Sequence, residues 1–298
     1  MTRQITIVEV GPRDGLQNDP GTLTTSQKLE FIHRLEACGI QRMESGAFVS
    51  PRAVPKMADS GAVFEGLKRS NSTRHIALAL NEKGIRYALN AQADEINFVL
   101  VAGEGFGQAN QRMTPQQSVD MLTSCAPLVH DAAVPLSATI SVAFGDPYSG
   151  EVDPATVADL ARQAAQVGVV EIGLGDTIGV ATPWDVRRVI EAVRSATPES
   201  TLRLHFHDTR GAGLANVAAA IESGVDVIDA SCGGIGGCPF APAATGNVAT
   251  EDVVYMLHRA GFETGLDLDA LIETAHWLET ALGHPVSSRL SKAGGFPS

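Results

Sequence analysis

The chain is short of aromatic residues, which make up 5% of its 298 positions. It has four cysteines, Cys38, Cys125, Cys232 and Cys238, and no two of them stand at CxxC spacing. So few cysteines in so long a chain do not make a disulfide framework. Basic charge is also scarce: 22 lysines and arginines face 34 acidic residues, for a net charge of -12. That balance carries no nucleic-acid footprint, and an anionic ligand would need a local positive site or a metal. No stretch approaches the length needed to cross a bilayer. Met1-Thr2-Arg3-Gln4-Ile5 runs straight into a strand-like segment without the pattern of a signal peptide. The expected setting is the cytoplasm, with neither a membrane nor a nucleic acid as partner.

What is present is aliphatic. The chain is 44% hydrophobic, built on Ala, Val, Leu and Ile, enough for one large domain or two ordinary ones. Strand-like runs fall at 5–11, 42–48, 75–80, 95–101, 136–144, 170–175, 201–208 and 225–231. Helix signals lie between them. Thr24 with Gln27 and Thr114-Pro115-Gln116-Gln117 read as capping boxes, and Asp153-Pro154 and Thr182-Pro183 open two further helices. Gly39, Gly168 and Gly224 supply stops. Eight strands alternating with helices predict parallel pairing and, at this length, an α/β protein with a closed (β/α)8 TIM barrel. The competing open doubly wound sheet lacks a glycine fingerprint after the first strand. Helical stretches near 252–259 and 268–282 suggest one catalytic domain, with a barrel over about 1–265 and a C-terminal helical appendage over about 266–298.

The most informative strand is Thr201-Leu202-Arg203-Leu204-His205-Phe206-His207-Asp208. Alternation places Leu202, Leu204 and Phe206 on one face and Arg203, His205 and His207 on the other. Two imidazoles at this spacing can share one ion, and they can equally be core histidines satisfied by carbonyls. The chemistry of this barrel gathers at the C-terminal ends of its strands, and other unusual residues fall there. They are Arg13, Asp14 and Gln17 after strand one, Glu44 on strand two, Asp176 after strand six, and Gly233 to Cys238 after strand eight. Asp14 offers a carboxylate to join the histidines, and Asn247 a carbonyl oxygen. The glycines at 233–237 can cradle a phosphate, make a tight turn or form a mobile loop. Cys38 and Cys125, on helical stretches, read as packing residues. Cys238 has the position of a working thiol, although a lone cysteine is commonly a small buried hydrophobe.

Five stretches together are similar to the hydroxymethylglutaryl-CoA lyase family of metal-dependent TIM-barrel lyases. They are Gly11-Pro12-Arg13-Asp14-Gly15-Leu16-Gln17-Asn18, Phe48-Val49-Ser50-Pro51, Gly175-Asp176-Thr177-Ile178-Gly179, His205-Phe206-His207-Asp208-Thr209 and Gly233-Gly234-Ile235-Gly236-Gly237-Cys238-Pro239-Phe240-Ala241. The resemblance covers nearly the whole chain. It implies that Asp14, His205, His207 and Asn247 hold Mg2+ or Mn2+, and that Arg13 stabilises an enolate. It gives Glu44 and Asp176 proton-handling and shaping roles, and Cys238 the part of acid or base. Arg13, Gln17 and Thr139 would contact an acyl-CoA substrate, and a homodimer is expected from the family. The implied reaction is cleavage of 3-hydroxy-3-methylglutaryl-CoA to acetyl-CoA and acetoacetate; a related 3-hydroxy-3-alkylglutaryl-CoA or citramalyl-type thioester is the alternative. A non-catalytic acyl-CoA-binding barrel is a third reading. The chain departs from the family at Thr139 and Arg210, where tyrosines are common, and at Pro242 and Ala243. Small Thr139 and Ser137 predict a roomier acyl pocket.

Overall fold

Alternating strands and helices leave each strand to pair with its chain neighbour through a right-handed crossover. A computed structural model, which describes residues 3–69, 72–236 and 246–296, has that architecture. Strands β1 (Thr6–Glu9), β2 (Arg42–Ala47), β3 (Arg74–Ala79), β4 (Glu95–Val101), β5 (Leu136–Ser141), β6 (Glu171–Asp176), β7 (Thr201–Phe206) and β8 (Val227–Ala230) are parallel neighbours in chain order. β8 closes the barrel on β1, with Val8 opposite Asp229 and Glu9 opposite Ala230.

The helices begin where the side chains dictate. Thr24 accepts from the Gln27 amide at 3.3 Å while Gln27 accepts from the Thr24 amide at 2.9 Å, so the capping box of helix Thr25–Ala37 is complete. Thr114 and Gln117 repeat it for helix Pro115–Asp131. Asp153 caps helix Pro154–Val167, which buries Val157, Leu160, Ala161 and Ala164 and ends at Gly168 in the left-handed region. Thr182 and Asp185 cap helix Pro183–Ala196. Helices Ser60–Gly66 and Glu82–Asn90 complete units two and three, where the sequence reading named strands alone. Helix Gly213–Glu222 follows β7 and helix Thr250–Arg259 follows β8. Helix Leu268–Leu282 lies on helix Thr25–Ala37: Phe31 stacks on Trp277 with centroids 6.2 Å apart, and Cys38 Sγ sits 3.5 Å from Thr274 Oγ1.

Two surfaces of the sheet bury different chemistry. Between sheet and helices lies a continuous aliphatic layer that includes Ile7, Ile32, Leu35, Leu160, Ile172, Leu204 and Ile228. Inside the barrel, Val8, Val10, Ile76 and Val227 form a small apolar cluster of their own. Most of the side chains paired around it are polar or charged. Register pairs Val227 with Arg203, Asp229 with His205, Glu95 with Ile76, and Glu171 with Ser137, and paired residues point the same way.

β1 is shorter than its sequence suggests, and the reason matters for the site. After Val10 the backbone coils instead of extending. The amides of Arg13, Asp14 and Gly15 all converge on the Val10 carbonyl, at 3.2, 2.7 and 3.2 Å. This wide turn, Gly11–Gly15, brings Arg13 and Asp14 back over the barrel mouth. β7 likewise stops at Phe206, and His207 instead bridges antiparallel to Asn247.

Candidate metal centre and its neighbours

Four segments distant in sequence meet at the C-terminal ends of the strands. The coiled turn brings Arg13 and Asp14, β2 brings Glu44, β7 brings His205 and then His207, and the segment before helix Thr250–Arg259 brings Asn247. Asp14 Oδ2 lies 3.9 Å from His205 Nε2 and 3.6 Å from His207 Nε2. One ligand atom from each of the three falls within 4.8 Å of the others, a spacing that suits one metal ion. The carbonyl-satisfied alternative fails for His205, because the groups beside its ring are carboxylates. Its Nδ1 lies 3.2 Å from Asp229 Oδ2, which turns Nε2 toward Asp14. A carboxylate behind a histidine is the usual partner of a metal-binding imidazole.

The electrostatics agree with a cation site. Burial alone would push the Asp14 carboxyl up, but Arg13 and both histidines outweigh it and hold the group well below its ordinary range. Burial would lower His205, and the bond to Asp229 together with nearby Asp14 raises it instead. Asp14 is thus a carboxylate at neutral pH, and the site stabilises positive charge at His205. A divalent ion meets the same need with two imidazole nitrogens and one oxygen. Asn247 arrives with its amide nitrogen foremost: Nδ2 donates to Asp14 Oδ2 at 2.9 Å and to the Ile235 carbonyl at 3.1 Å. Gly236, at φ +106, permits this closeness, since a Cβ there would stand 2.7 Å from Asn247 Nδ2 and 3.0 Å from Gly15 Cα.

Arg13 is clamped between two acids. Its Nε donates to Glu44 Oε2 at 2.7 Å and its Nη1 to Asp14 Oδ1 at 2.5 Å, with a second contact from Nη2 to Glu44. Glu44 Oε1 accepts from Asn97 Nδ2 at 2.7 Å. Burial would raise the Glu44 carboxyl, yet Arg13 and Arg203 hold it low; burial would lower Arg13, and Glu44 and Asp14 raise it. Both groups are charged and held in one geometry beside the histidines.

The other expected residues divide. Gln17 lies half-buried on the short helix Leu16–Asn18 that continues the coiled turn. Asp176 is buried, and both its oxygens accept backbone amides, from Val180 at 2.9 Å and Ala181 at 3.2 Å. It therefore shapes the loop after β6, with its carboxyl pushed up by burial. Thr139 points into the barrel, where its Oγ1 donates to Asn97 Oδ1 at 3.0 Å and accepts from Arg203 Nη2 at 2.9 Å. The guanidinium of Arg203 thus stands against the short side chain. Ser137 lies deeper, at the start of β5, and donates to Glu95 at 2.8 Å. Arg210 donates to the carbonyls of Ile178 and Gly179 at 2.7 and 3.0 Å, tying the loop after β7 to the one after β6. Cys238, Pro242 and Ala243 lie outside the described residues. Cys38, Cys125 and Cys232 are free and buried.

The sequence reading placed Arg203 on the face of the histidines without a role, and missed Asp229, Asn97 and the charged residues Arg42, Glu95 and Glu171. A signal for them existed: polar residues two apart, Glu95 and Asn97 on β4, Ser137 and Thr139 on β5, and Arg203 and His205 on β7, mark the inward face.

The chain and its fold have relatives among known proteins. The HMGL-like family model matches residues 4–278. The chain belongs to the HMGL-like family. It is 41% identical to the 3-hydroxy-3-isohexenylglutaryl-CoA/hydroxy-methylglutaryl-CoA lyase of Pseudomonas aeruginosa, over 98% of each chain. It is 39% identical to the (R)-citramalyl-CoA lyase of Chloroflexus aurantiacus, over 97% of this chain and 95% of that one. Among solved structures, an HMG-CoA lyase from Acinetobacter baumannii in complex with coenzyme A and 3-methylmalate superposes with a TM-score of 0.93. It is 41% identical, over 99% of this chain and 98% of that one.

Proposed function

We propose that this protein is a divalent-metal-dependent carbon–carbon lyase that cleaves 3-hydroxy-3-methylglutaryl-CoA to acetyl-CoA and acetoacetate. The observation that carries the reading is the convergence of Asp14, His205 and His207 beside an Arg13 clamped by Glu44. The whole chain acts as one catalytic domain, in a cytoplasmic homodimer. Among the described residues no helix is long and apolar enough to cross a membrane.

Asp14, His205 and His207 would hold Mg2+ or Mn2+. Asn247 can add its oxygen only after its amide rotates away from its present bonds to Asp14 and Ile235. A bound divalent ion would make the substrate's 3-hydroxyl easier to deprotonate. Loss of that proton lets the alkoxide collapse to the ketone of acetoacetate as the bond between C2 and C3 breaks. The bonding pair leaves as the enolate of acetyl-CoA. Arg13, held by Glu44 and Asp14, is the cation of the chain that meets the enolate oxygen, and its fixed orientation avoids reorganisation when charge develops. Gln17 and Thr139 contribute to the acyl pocket. Cys238 supplies the proton that converts the enolate carbon to a methyl group. The proton from the hydroxyl passes to a base of the site, which returns it to the Cys238 thiolate, so protons balance over the turnover.

A second reading, the same cleavage on a 3-hydroxy-3-alkylglutaryl-CoA or citramalyl-type thioester, is favoured by Thr139. At the position where a tyrosine is common in the family it puts a short hydroxyl side chain, which accepts from Arg203 Nη2 at 2.9 Å. The test is a panel of these thioesters with product identification, run with chelator and with Mg2+ or Mn2+ restored. The proposal expects acetoacetate and acetyl-CoA in the metal-restored samples alone, with the 3-methyl substrate at the highest kcat/KM. A higher kcat/KM for citramalyl-CoA would replace the first reading with the second, and turnover in a chelated, metal-analysed sample would sink both.

A further inference from the structure

Arg203 is 1% exposed and lies inside the barrel on β7, two residues before His205 and on the same face. Its contacts differ from those of the other interior arginine. Arg42, at the N-terminal end, makes hydrogen bonds of 2.9–3.1 Å to Glu95 and Glu171, the geometry of a static bridge. Arg203 makes one short bond, from Nη2 to Thr139 Oγ1 at 2.9 Å. Its approaches to carboxylates are longer: Nε to Asp229 Oδ1 at 3.4 Å, Nε to Glu171 Oε1 at 3.5 Å, and Nη2 to Glu44 Oε1 at 3.9 Å. Nε and Nη1 lack hydrogen-bond partners among the described residues. A guanidinium this deep with unbonded N–H groups is a poor way to gain stability. Its place makes sense through what its neighbours hold. Asp229 turns Oδ1 to Arg203 and Oδ2 to His205 Nδ1, at 3.2 Å. Glu44 Oε1 accepts from Asn97 Nδ2 at 2.7 Å with Arg203 Nη2 3.9 Å away, and its Oε2 accepts from Arg13 Nε at 2.7 Å. Each carboxylate thus has one oxygen facing the same buried cation and the other on a residue of the candidate site, and Asn97 shares the inner oxygen of Glu44.

We propose that Arg203 is a positioning residue that couples the two halves of the site, fixing His205 through Asp229 and Arg13 through Glu44. The inference rests on the metal-dependent reading above. One positive charge between three buried carboxylates keeps each from swinging away from its neighbours' repulsion, and the short Thr139 leaves the guanidinium room to sit at that point. Without Arg203, Asp229 and Glu171 repel, Asp229 turns, and the ring of His205 loses its orientation. Glu44 keeps its bond from Asn97 but loses the positive charge behind it, and the clamp on Arg13 weakens.

Calorimetric titration of the metal-free protein with Mn2+ alone, alongside thermal melting, tests the link to His205 apart from turnover, and kcat tests the link to Arg13. Arg203→Met and Asp229→Asn should each weaken Mn2+ binding by about tenfold or more, the usual scale for losing a group behind a metal-binding histidine. The double variant should be little worse than Asp229→Asn, because both act through one carboxylate. At saturating Mn2+, kcat should fall further for Arg203→Met than for Asp229→Asn, because only the former also removes the charge behind Glu44. Arg203→Lys, which keeps the charge but not the planar fork, should recover part of the Mn2+ affinity. Should Arg203→Met fail to fold, the same cycle is run with Arg203→Lys. Wild-type Mn2+ affinity in a folded Arg203 variant, or additive losses in the double variant, would overturn the coupling while leaving the lyase reading intact. A wild-type protein that binds no Mn2+ overturns the metal reading itself.

Discussion

The two faces of the barrel sheet are built from opposite materials. Outward, Ile7, Ile172, Leu204 and Ile228 meet apolar helix stripes in one continuous layer. Inward, a small cluster of Val8, Val10, Ile76 and Val227 is surrounded by Arg203, Glu44, Glu95, Glu171, Asp229 and Asn97. Burying an aliphatic side chain contributes about 1.5–3 kcal/mol. Burying ion pairs roughly breaks even against apolar replacements and costs heavily when a partner is removed. The outer layer therefore accounts for the stability of the fold. The interior is costly by comparison, and what it gains is a set of charges fixed in place below the mouth where Asp14, His205 and His207 meet.

That contrast predicts that interior changes act on function and outer changes on stability. The largest effect is expected at the mouth. His207→Ala removes one of three ligand groups and should abolish most Mn2+ binding and turnover while the melting temperature of the metal-free protein moves little. Wild-type metal affinity in this variant would break the assignment. Next comes Cys238→Ser, with a kcat roughly a hundredfold lower, the scale for losing a general acid or base whose unperturbed pKa of about 8.5 suits proton transfer in both directions. Cys38→Ser and Cys125→Ser, buried in the outer packing, should keep kcat and show any cost in melting. If Cys238→Ser turns over at the wild-type rate, the proton donor is another group.

The outer layer answers in the other currency. Ile32 is fully buried on helix Thr25–Ala37, and Ile32→Ala should cost about 2–5 kcal/mol of stability with kcat per folded molecule unchanged. A matching fall in kcat would show that the two faces are less separate than their chemistry suggests.

The smallest effect sharpens the comparison where the faces meet, at β1 and the segment after β8. Glu9 accepts from the amides of Gly11 and Cys232, at 2.7 and 2.9 Å, and from the Thr250 hydroxyl at 2.6 Å. Burial first, and the Glu251 charge as a lesser cause, raise its carboxyl from 4.5 to about 8; burial raises Glu251 from 4.5 to about 7. The folded state keeps these protons where the unfolded chain has released them. The stability they bring is full below the unfolded value, near 4.5, and is lost as pH rises through about 7 and about 8. Glu9→Gln should flatten the fall in melting temperature across that window, and an unchanged slope would show that Glu9 is ionised in the folded protein.

Much of the frame was legible from the chain alone. Capping boxes at Thr24 and Thr114, proline at the first helical position and glycine stops act over a few residues, so local reading finds them. The alternation around His205 and His207 named their shared face for the same reason. The coil at Gly11–Gly15 was not legible as such, because a run of Gly-Pro-Arg-Asp-Gly fits several turns and the Val10 carbonyl chooses among them only in place.

The sequence by itself determined the alternation of eight strands with helices, the apolar outer stripes and the residue types able to bind a divalent ion. These follow from periodicity and side-chain chemistry, which need no partner. The tertiary structure alone decided that Asp229 stands behind His205, that Glu44 clamps Arg13, that Asn247 turns its nitrogen to Asp14, and that Arg203 fills the space beside Thr139. Each of those pairs joins different strands or loops, so the register of the parallel sheet decides which side chains meet, and closure of β8 on β1 brings Asn247 to Asp14.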